Sequence, residues 1–211
     1  MSDILERISE RLQKGKAQEV VELVTQAMGE GIGPSEILEG GLLAGMGVIG
    51  DKFKNNEVFV PEVLVAARAM NKGVEVLKPA LTAAGAKARG VAVIGTVKGD
   101  LHDIGKNLVR MMMEGKGIEM VDLGVDVTPE QFVSAAREHG AGIICCSALL
   151  TTTMGEMKHV VELVRSEGLN VKVMVGGAPV TQTFCDSIGA DCYTADAASA
   201  ADAALAFLLS A

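Results

Sequence analysis

Aromatic residues are nearly missing from this 211-residue chain, which has no Trp, one Tyr and five Phe. An aromatic-rich β-sandwich is therefore not the expected architecture. Cations are in deficit, with 19 Lys and Arg against 27 Asp and Glu and a formal net charge of −8, and they form no run. Nucleic acid and anionic membrane surfaces both reward clustered Lys and Arg, so neither is expected as the main partner. No apolar stretch approaches the roughly 18 residues of a membrane span. The segment Met1 to Glu10 is charged and has no apolar signal-peptide core. The four cysteines, Cys145, Cys146, Cys185 and Cys192, contain no CxxC pair. That favours buried, reduced thiols in a cytoplasmic protein over a disulfide or a zinc site.

Hydrophobic residues are plentiful at 49%, and so are Gly (25) and Met (11). The chain can bury a sizeable core of small aliphatic side chains in one or two domains. Up to about Leu81 the apolar spacing is helical. Ile4, Ile8 and Leu12 open a first helix, and Val20 to Met28 follow the break at Gly15 as a second. Pro34 suits a first helical turn ahead of Ile37 and Leu38. A third helix is expected over Leu42 to Phe53, ended by Asn55-Asn56, and a fourth from Pro61 through Leu77. Four short helices make a small bundle over residues 1–88. The small, flexible segment Leu81 to Gly90 reads as a linker and a hinge.

Beyond it the period changes. Val91–Val97 is an apolar run bounded by glycines, as in a strand buried on both faces. Further strand candidates are Ile118–Leu123, Gly142–Ser147, Lys172–Val175 and Asp191–Tyr193. Helical stretches at Ile104–Met113, Pro129–His139, Met154–Glu167, Thr181–Ile188 and Ala197–Leu209 separate them. The alternation predicts an α/β domain over 89–211, with a doubly wound, five-stranded parallel sheet. Ligands of such sheets sit at the carboxyl ends of the strands. The loops near Val97, Leu123, Ser147, Gly176 and Thr194 should therefore surround one site.

Three of those loops carry polar or glycine motifs. The first reads Lys98-Gly-Asp-Leu-His-Asp-Ile-Gly105, the second Ser147-Ala-Leu149 followed by Thr151-Thr-Thr153, and the third Gly176-Gly177. Singly each has an ordinary explanation: Asp100 as a helix N-cap beside an incidental His102, a Ser before a helix, a glycine turn. Together they form DxHxxG, 41 intervening residues, SxL, 26 intervening residues, GG. This pattern resembles the corrinoid (cobalamin) binding domain of cobalamin-dependent methyltransferases and mutases. The N-terminal half is similar to the helical cap of methyl-carrying corrinoid proteins, through Gly47–Phe53, Glu57–Glu62 and Ala66–Met70. The relatives in view serve methanol, methylamine and O-demethylase systems and include the cobalamin module of methionine synthase. Their fold is a four-helix cap followed by a Rossmann-like, flavodoxin-like domain.

The resemblance implies a cobalamin or related corrinoid that cycles through methylcobalamin, cob(I)alamin and cob(II)alamin. It makes His102 the lower axial cobalt ligand, with the cofactor's own benzimidazole displaced. Asp100 would hold the other imidazole nitrogen, and the Thr153 hydroxyl would complete the relay, at a position where Ser is familiar. Gly99, Leu101, Asp103, Ile104 and Gly105 would line the cofactor from the His loop. Ser147, Leu149, Thr151, Gly176, Gly177 and Thr194 would line the slot for the displaced nucleotide tail. Phe59 and Val63, with Met70, are expected to offer an apolar face to the upper side of the ring. The implied role is a methyl carrier rather than a complete enzyme. It would serve a substrate-specific methyltransferase and a second one whose acceptor is a thiol coenzyme or tetrahydrofolate, with a reductive activator. A cobalamin-responsive regulator and the small subunit of an adenosylcobalamin mutase are the alternatives. His139 and His159 read as surface histidines, and Met111–Met113 as core filler.

Overall fold

The helical half starts with α1 (Asp3–Gln13) and α2 (Ala17–Gly29), separated by Gly15 at φ 66°. The computed structural model describes residues 3–86 and 88–210. Helix α3 (Pro34–Ile37) does not end where the glycines begin. It passes through a π-helical stretch, Leu38–Leu43, straight into α4 (Ala44–Lys54). The expected third helix therefore begins at Pro34, not Leu42. The reason is steric rather than local. A Cβ on Gly41 would lie 3.0 Å from Ile8 Cγ2, and one on Gly45 would lie 3.0 Å from the Ser9 backbone. Gly41 and Gly45, one turn apart, let this helix run closely against α1, and the packing overrides their poor helix propensity.

Helix α5 (Val60–Ala83) is longer than predicted and passes through Pro79. Its start is fixed by Glu62, whose carboxylate accepts the Phe59 N–H at 3.0 Å. Its buried residues Val63, Ala66, Ala67, Met70, Gly73 and Leu77 follow the helical period and form one inward stripe. This corrects the expectation for the apolar face. Val63 and Met70 are buried inside the bundle, whereas Phe59, Leu64 and Val65 are exposed. The expected linker shrinks as well, since Leu81 to Ala83 are still helical. Its residue Lys87 lies outside the described residues, as do Met1, Ser2 and Ala211.

The second half alternates without exception: β1 (Val91–Thr96), α6 (Ile104–Glu114), β2 (Glu119–Asp122), α7 (Pro129–Glu138), β3 (Ile143–Ser147), α8 (Met154–Ser166), β4 (Lys172–Gly176), α9 (Gln182–Ile188), β5 (Cys192–Tyr193) and α10 (Ala197–Leu209). The five strands are all parallel in the order β2-β1-β3-β4-β5. The contacts divide the chain into two units, 1–87 with 115–117, and 88–114 with 118–211. In the second unit Val93, Ile144, Val173 and Val175 pack under Phe132, Met157, Val160 and Val161. Met112 and Met113 are buried core residues. Cys145, Cys146 and Cys185 are buried and unpaired. Among the described residues, no helix is long and apolar enough to cross a membrane.

Candidate functional site

The sheet order reverses direction between β1 and β3, and such a switch point leaves a crevice at the strands' carboxyl ends. The loop after β1 carries Asp100 and His102; the loop after β3 carries Leu149, Leu150 and Thr153. Asp100 is fully buried between them. Its Oδ1 accepts the His102 backbone N–H at 3.1 Å and lies 2.7 Å from the His102 ring Nδ1. Its Oδ2 accepts the N–H groups of Leu149 (2.8 Å) and Leu150 (3.1 Å), and the Thr153 hydroxyl lies at 2.9 Å. One carboxylate thus ties the two loops together across the crevice. The ordinary reading of Asp100 as a helix cap does not hold, because Asp103 stands immediately before α6. The Thr153 hydroxyl also lies 2.8 Å from the Leu150 carbonyl, so its single proton has two acceptors.

Burial alone would push the Asp100 carboxyl up. The His102 ring and the N–H groups of Leu149, His102 and Leu150 outweigh burial and hold it well below the usual carboxylate range. A carboxyl whose pKa is depressed by folding stabilises the native state above its unfolded value of about 4, and that stability is lost as pH falls further. Chemical denaturation between pH 6 and pH 3 is expected to show stability falling below about pH 4, with a shallower fall in Asp100→Asn.

Asp100 accepts the Nδ1 proton, so the His102 tautomer leaves Nε2 as a lone-pair donor on a half-exposed ring. Leu101, Leu149 and Leu150 on the same two loops, and Ile104 at the start of α6, are all exposed large apolar side chains. A Cβ added to Gly105 or to Gly176 would meet nothing within 4 Å. An apolar rim, open space over two glycines and one imidazole nitrogen fit a bulky macrocyclic metal cofactor rather than a bare ion.

The other expected residues fall as follows. Ser147 ends β3, paired with Thr96 and Gly176. Gly99 takes φ 80° and Gly177 φ 134°. Leu149 and Thr151 are exposed on the loop after β3. The Thr194 hydroxyl is 3.3 Å from the Asp196 carbonyl, at the start of α10. Phe59 and Val63 belong to the helical unit and take no part in this hydrogen-bonded cluster.

Four polar residues that sequence reasoning missed brace the loop. Asp126, at φ 57°, accepts the Gly99 N–H at 2.7 Å, and its own N–H donates to the Asp100 carbonyl at 3.1 Å. The Thr96 hydroxyl donates to the His102 carbonyl at 2.8 Å. Buried Lys106 reaches both Asp122 oxygens at 2.6 and 2.7 Å, tying the first turn of α6 to the end of β2. A cation in the first turn of a helix opposes the macrodipole, and that was a readable signal. Because Asp122 is partly exposed, Lys106→Met is expected to cost about 2–3 kcal/mol, at or below the roughly 3–5 of a fully buried pair. Urea denaturation checks it.

Residues 90–206 match a B12-binding domain family, and residues 4–78 match a second B12-binding domain family. A dimethylamine corrinoid protein of Methanosarcina barkeri is 46% identical, over 94% of each chain. Dimethylamine corrinoid protein 3 of Methanosarcina acetivorans is 44% identical over 99% of this chain and 100% of its own. Among solved structures, the methanol:cobalamin methyltransferase complex MtaBC of Methanosarcina barkeri superposes with TM-score 0.92 at 30% identity. That match covers 100% of this chain and 81% of the other. A cobalamin-binding protein of Desulfitobacterium hafniense gives 0.79 at 30% identity, covering 96% and 98%.

Proposed function

The chain belongs to the B12-binding family of corrinoid proteins, and from that premise we propose that it carries methyl groups in a methylamine methyltransferase system. It is a carrier subunit, loaded by a substrate-specific methyltransferase and unloaded by a second one whose acceptor is a thiol coenzyme or tetrahydrofolate. A reductive activator restores it after oxidation. Dimethylamine is the favoured donor class, supported by relatives of that name that align over 94–99% of this chain, against 82% for trimethylamine corrinoid proteins of similar identity. A cytoplasmic location is supported by the unpaired buried thiols.

The observation that carries the reading is the hydrogen-bonded line Thr153–Asp100–His102 at the switch crevice. When bound, the corrinoid supplies a cobalt nucleophile that accepts a methyl group and gives it up again. The chain's own residues set the conditions for that. His102 Nε2 would hold the cobalt, and Asp100 fixes the tautomer that leaves that nitrogen free to do so. Thr153 supplies a hydroxyl that can donate either to Asp100 or to the Leu150 carbonyl. Leu101, Ile104, Leu149 and Leu150 would shield the metal from water. Ser147 and Thr151 would hydrogen-bond the nucleotide tail, and Gly105 and Gly176 would leave it room.

The last point has a test with opposite signs. Gly105 is helical with open space over it. Gly105→Ala is expected to stabilise the cofactor-free protein by about 0.5–1 kcal/mol, because Ala is the better helix former. The same change should weaken cobalamin binding, read by titration. For the function itself, the cobalamin-loaded, reduced protein is mixed with a dimethylamine methyltransferase and isotopically labelled dimethylamine. Label is expected to follow this chain through gel filtration. Labelling from none of the methylamines, each with its own enzyme, overturns the donor class.

A further inference from the structure

His102 is held at three points, and only two belong to the relay. Its ring Nδ1 and its backbone N–H both meet Asp100 Oδ1, at 2.7 and 3.1 Å. The third point is its backbone carbonyl, which accepts the Thr96 hydroxyl at 2.8 Å. Thr96 is the last residue of β1, fully buried in an otherwise apolar strand, Val91-Ala-Val-Ile-Gly-Thr96. Its backbone is fixed on both sides. Its N–H donates to the Gly124 carbonyl at 2.9 Å, its carbonyl accepts the Val127 N–H at 3.0 Å, and it pairs in register with Ser147 of β3. Thr96 is therefore a rigid anchor in the sheet, whereas His102 lies on an exposed loop.

A hydroxyl buried inside such a strand costs free energy unless it is hydrogen-bonded, and valine would fill the same volume without that cost. The bond that Thr96 makes reaches neither its own strand nor a neighbouring one. It reaches six residues along the chain, to the backbone of the one residue whose ring faces the crevice. Asp100 sets the rotation and tautomer of the imidazole; Thr96 sets the height and direction of the Cα that carries it. We propose that Thr96 is a positioning residue for His102, pre-organising its Nε2 toward the cofactor so that ligation costs little loop ordering. The inference rests on His102 being the axial ligand. A histidine on an unanchored loop would pay the ordering entropy each time it bound and would spend more of its time off the metal.

The test uses the full chain, labelled with ¹⁵N-histidine and loaded with cob(II)alamin, where a ¹⁵N donor on cobalt splits the electron paramagnetic resonance signal into doublets, distinct from the triplets of the cofactor's own benzimidazole. The wild-type protein is expected to show the doublets, and Thr96→Val to show a mixture. The ratio of ligated to unligated histidine should fall about five- to tenfold, the worth of one hydrogen bond. Thr96→Ser, which keeps the hydroxyl, is expected to restore the wild-type spectrum. Thr96→Ala provides a second hydroxyl-free variant should the valine repack the strand. A lower melting temperature with an unchanged spectrum in both Val and Ala variants overturns the proposal and leaves Thr96 as a structural hydroxyl. A wild-type signal without the ¹⁵N doublets instead overturns the axial role of His102, and the positioning role falls with it.

Discussion

His102→Ala is expected to abolish histidine ligation of the bound corrinoid while leaving the fold in place. The two effects separate because of where the residue sits. Its ring is half exposed and contributes one hydrogen bond to a carboxylate, so removing it costs about 1–2 kcal/mol. Asp100 keeps its other partners in the variant, including the N–H groups of Leu149 and Leu150 and the Thr153 hydroxyl. The buried charge is not orphaned, and the tie between the β1 and β3 loops survives. Circular dichroism should therefore stay close to wild type, and urea denaturation should show a loss of no more than about 2 kcal/mol. With ¹⁵N-labelled histidine in the protein, the cob(II)alamin spectrum should lose its ¹⁵N doublet entirely, and label transfer from the methylamine should fall by an order of magnitude or more. A ¹⁵N doublet that persists in His102→Ala identifies another histidine as the ligand and ends the assignment. Asp100→Ala is a different experiment, since it takes their acceptor from the N–H groups of Leu149 and Leu150, while the Thr153 hydroxyl keeps the Leu150 carbonyl. It would unlink the loops rather than remove the ligand.

The sheet was legible because buried parallel strands are continuous apolar runs and their breaks fall at glycines. All five strands lie within a residue or two of their predicted ends. The His and SxL loops were legible for a related reason. A short motif at a strand end has its position fixed by the strand, so spacing along the chain becomes position on the rim. What the sequence concealed are contacts that span distance. Gly40-Gly41 looks like a helix breaker until Leu5 and Ile8 of another helix are placed against it. Val63 and Phe59 look alike as apolar residues near one helix start, yet the stripe through Ala66, Ala67 and Met70 turns Val63 inward. The pairs Thr96–His102, Gly99–Asp126 and Lys106–Asp122 join residues whose spacing carries no period. No one-dimensional pattern records them, although they hold the His102 loop and the start of α6 in place.

The paired glycines of the β4 loop show how one motif can hide two requirements. A Cβ on Gly177 would fall on the carbonyl oxygen of Ala148, 2.9 Å from its carbon and 3.2 Å from its nitrogen, at a φ of 134° that L side chains avoid. Nothing in that contact is a flexible side-chain tip, so either the β3 loop or the β4 loop must move. They are also bonded to each other, through the Ala148 N–H and the Gly176 carbonyl at 3.1 Å. Shifting Ala148 displaces the Leu149 and Leu150 N–H groups that Asp100 accepts. Gly177→Ala is accordingly expected to cost more than about 4 kcal/mol, the sum of backbone strain and a disrupted buried network. Cobalamin binding should be lost with it. Gly176→Ala meets no atom within 4 Å and should leave stability within about 0.5 kcal/mol of wild type. If open space there holds the nucleotide tail, its cobalamin affinity should still drop by about tenfold, the worth of roughly 1.4 kcal/mol. Denaturation and cobalamin titration of both variants separate the two. Equal stability loss would show that the space over Gly176 is not free, and unchanged affinity in a stable Gly176→Ala would place the tail elsewhere.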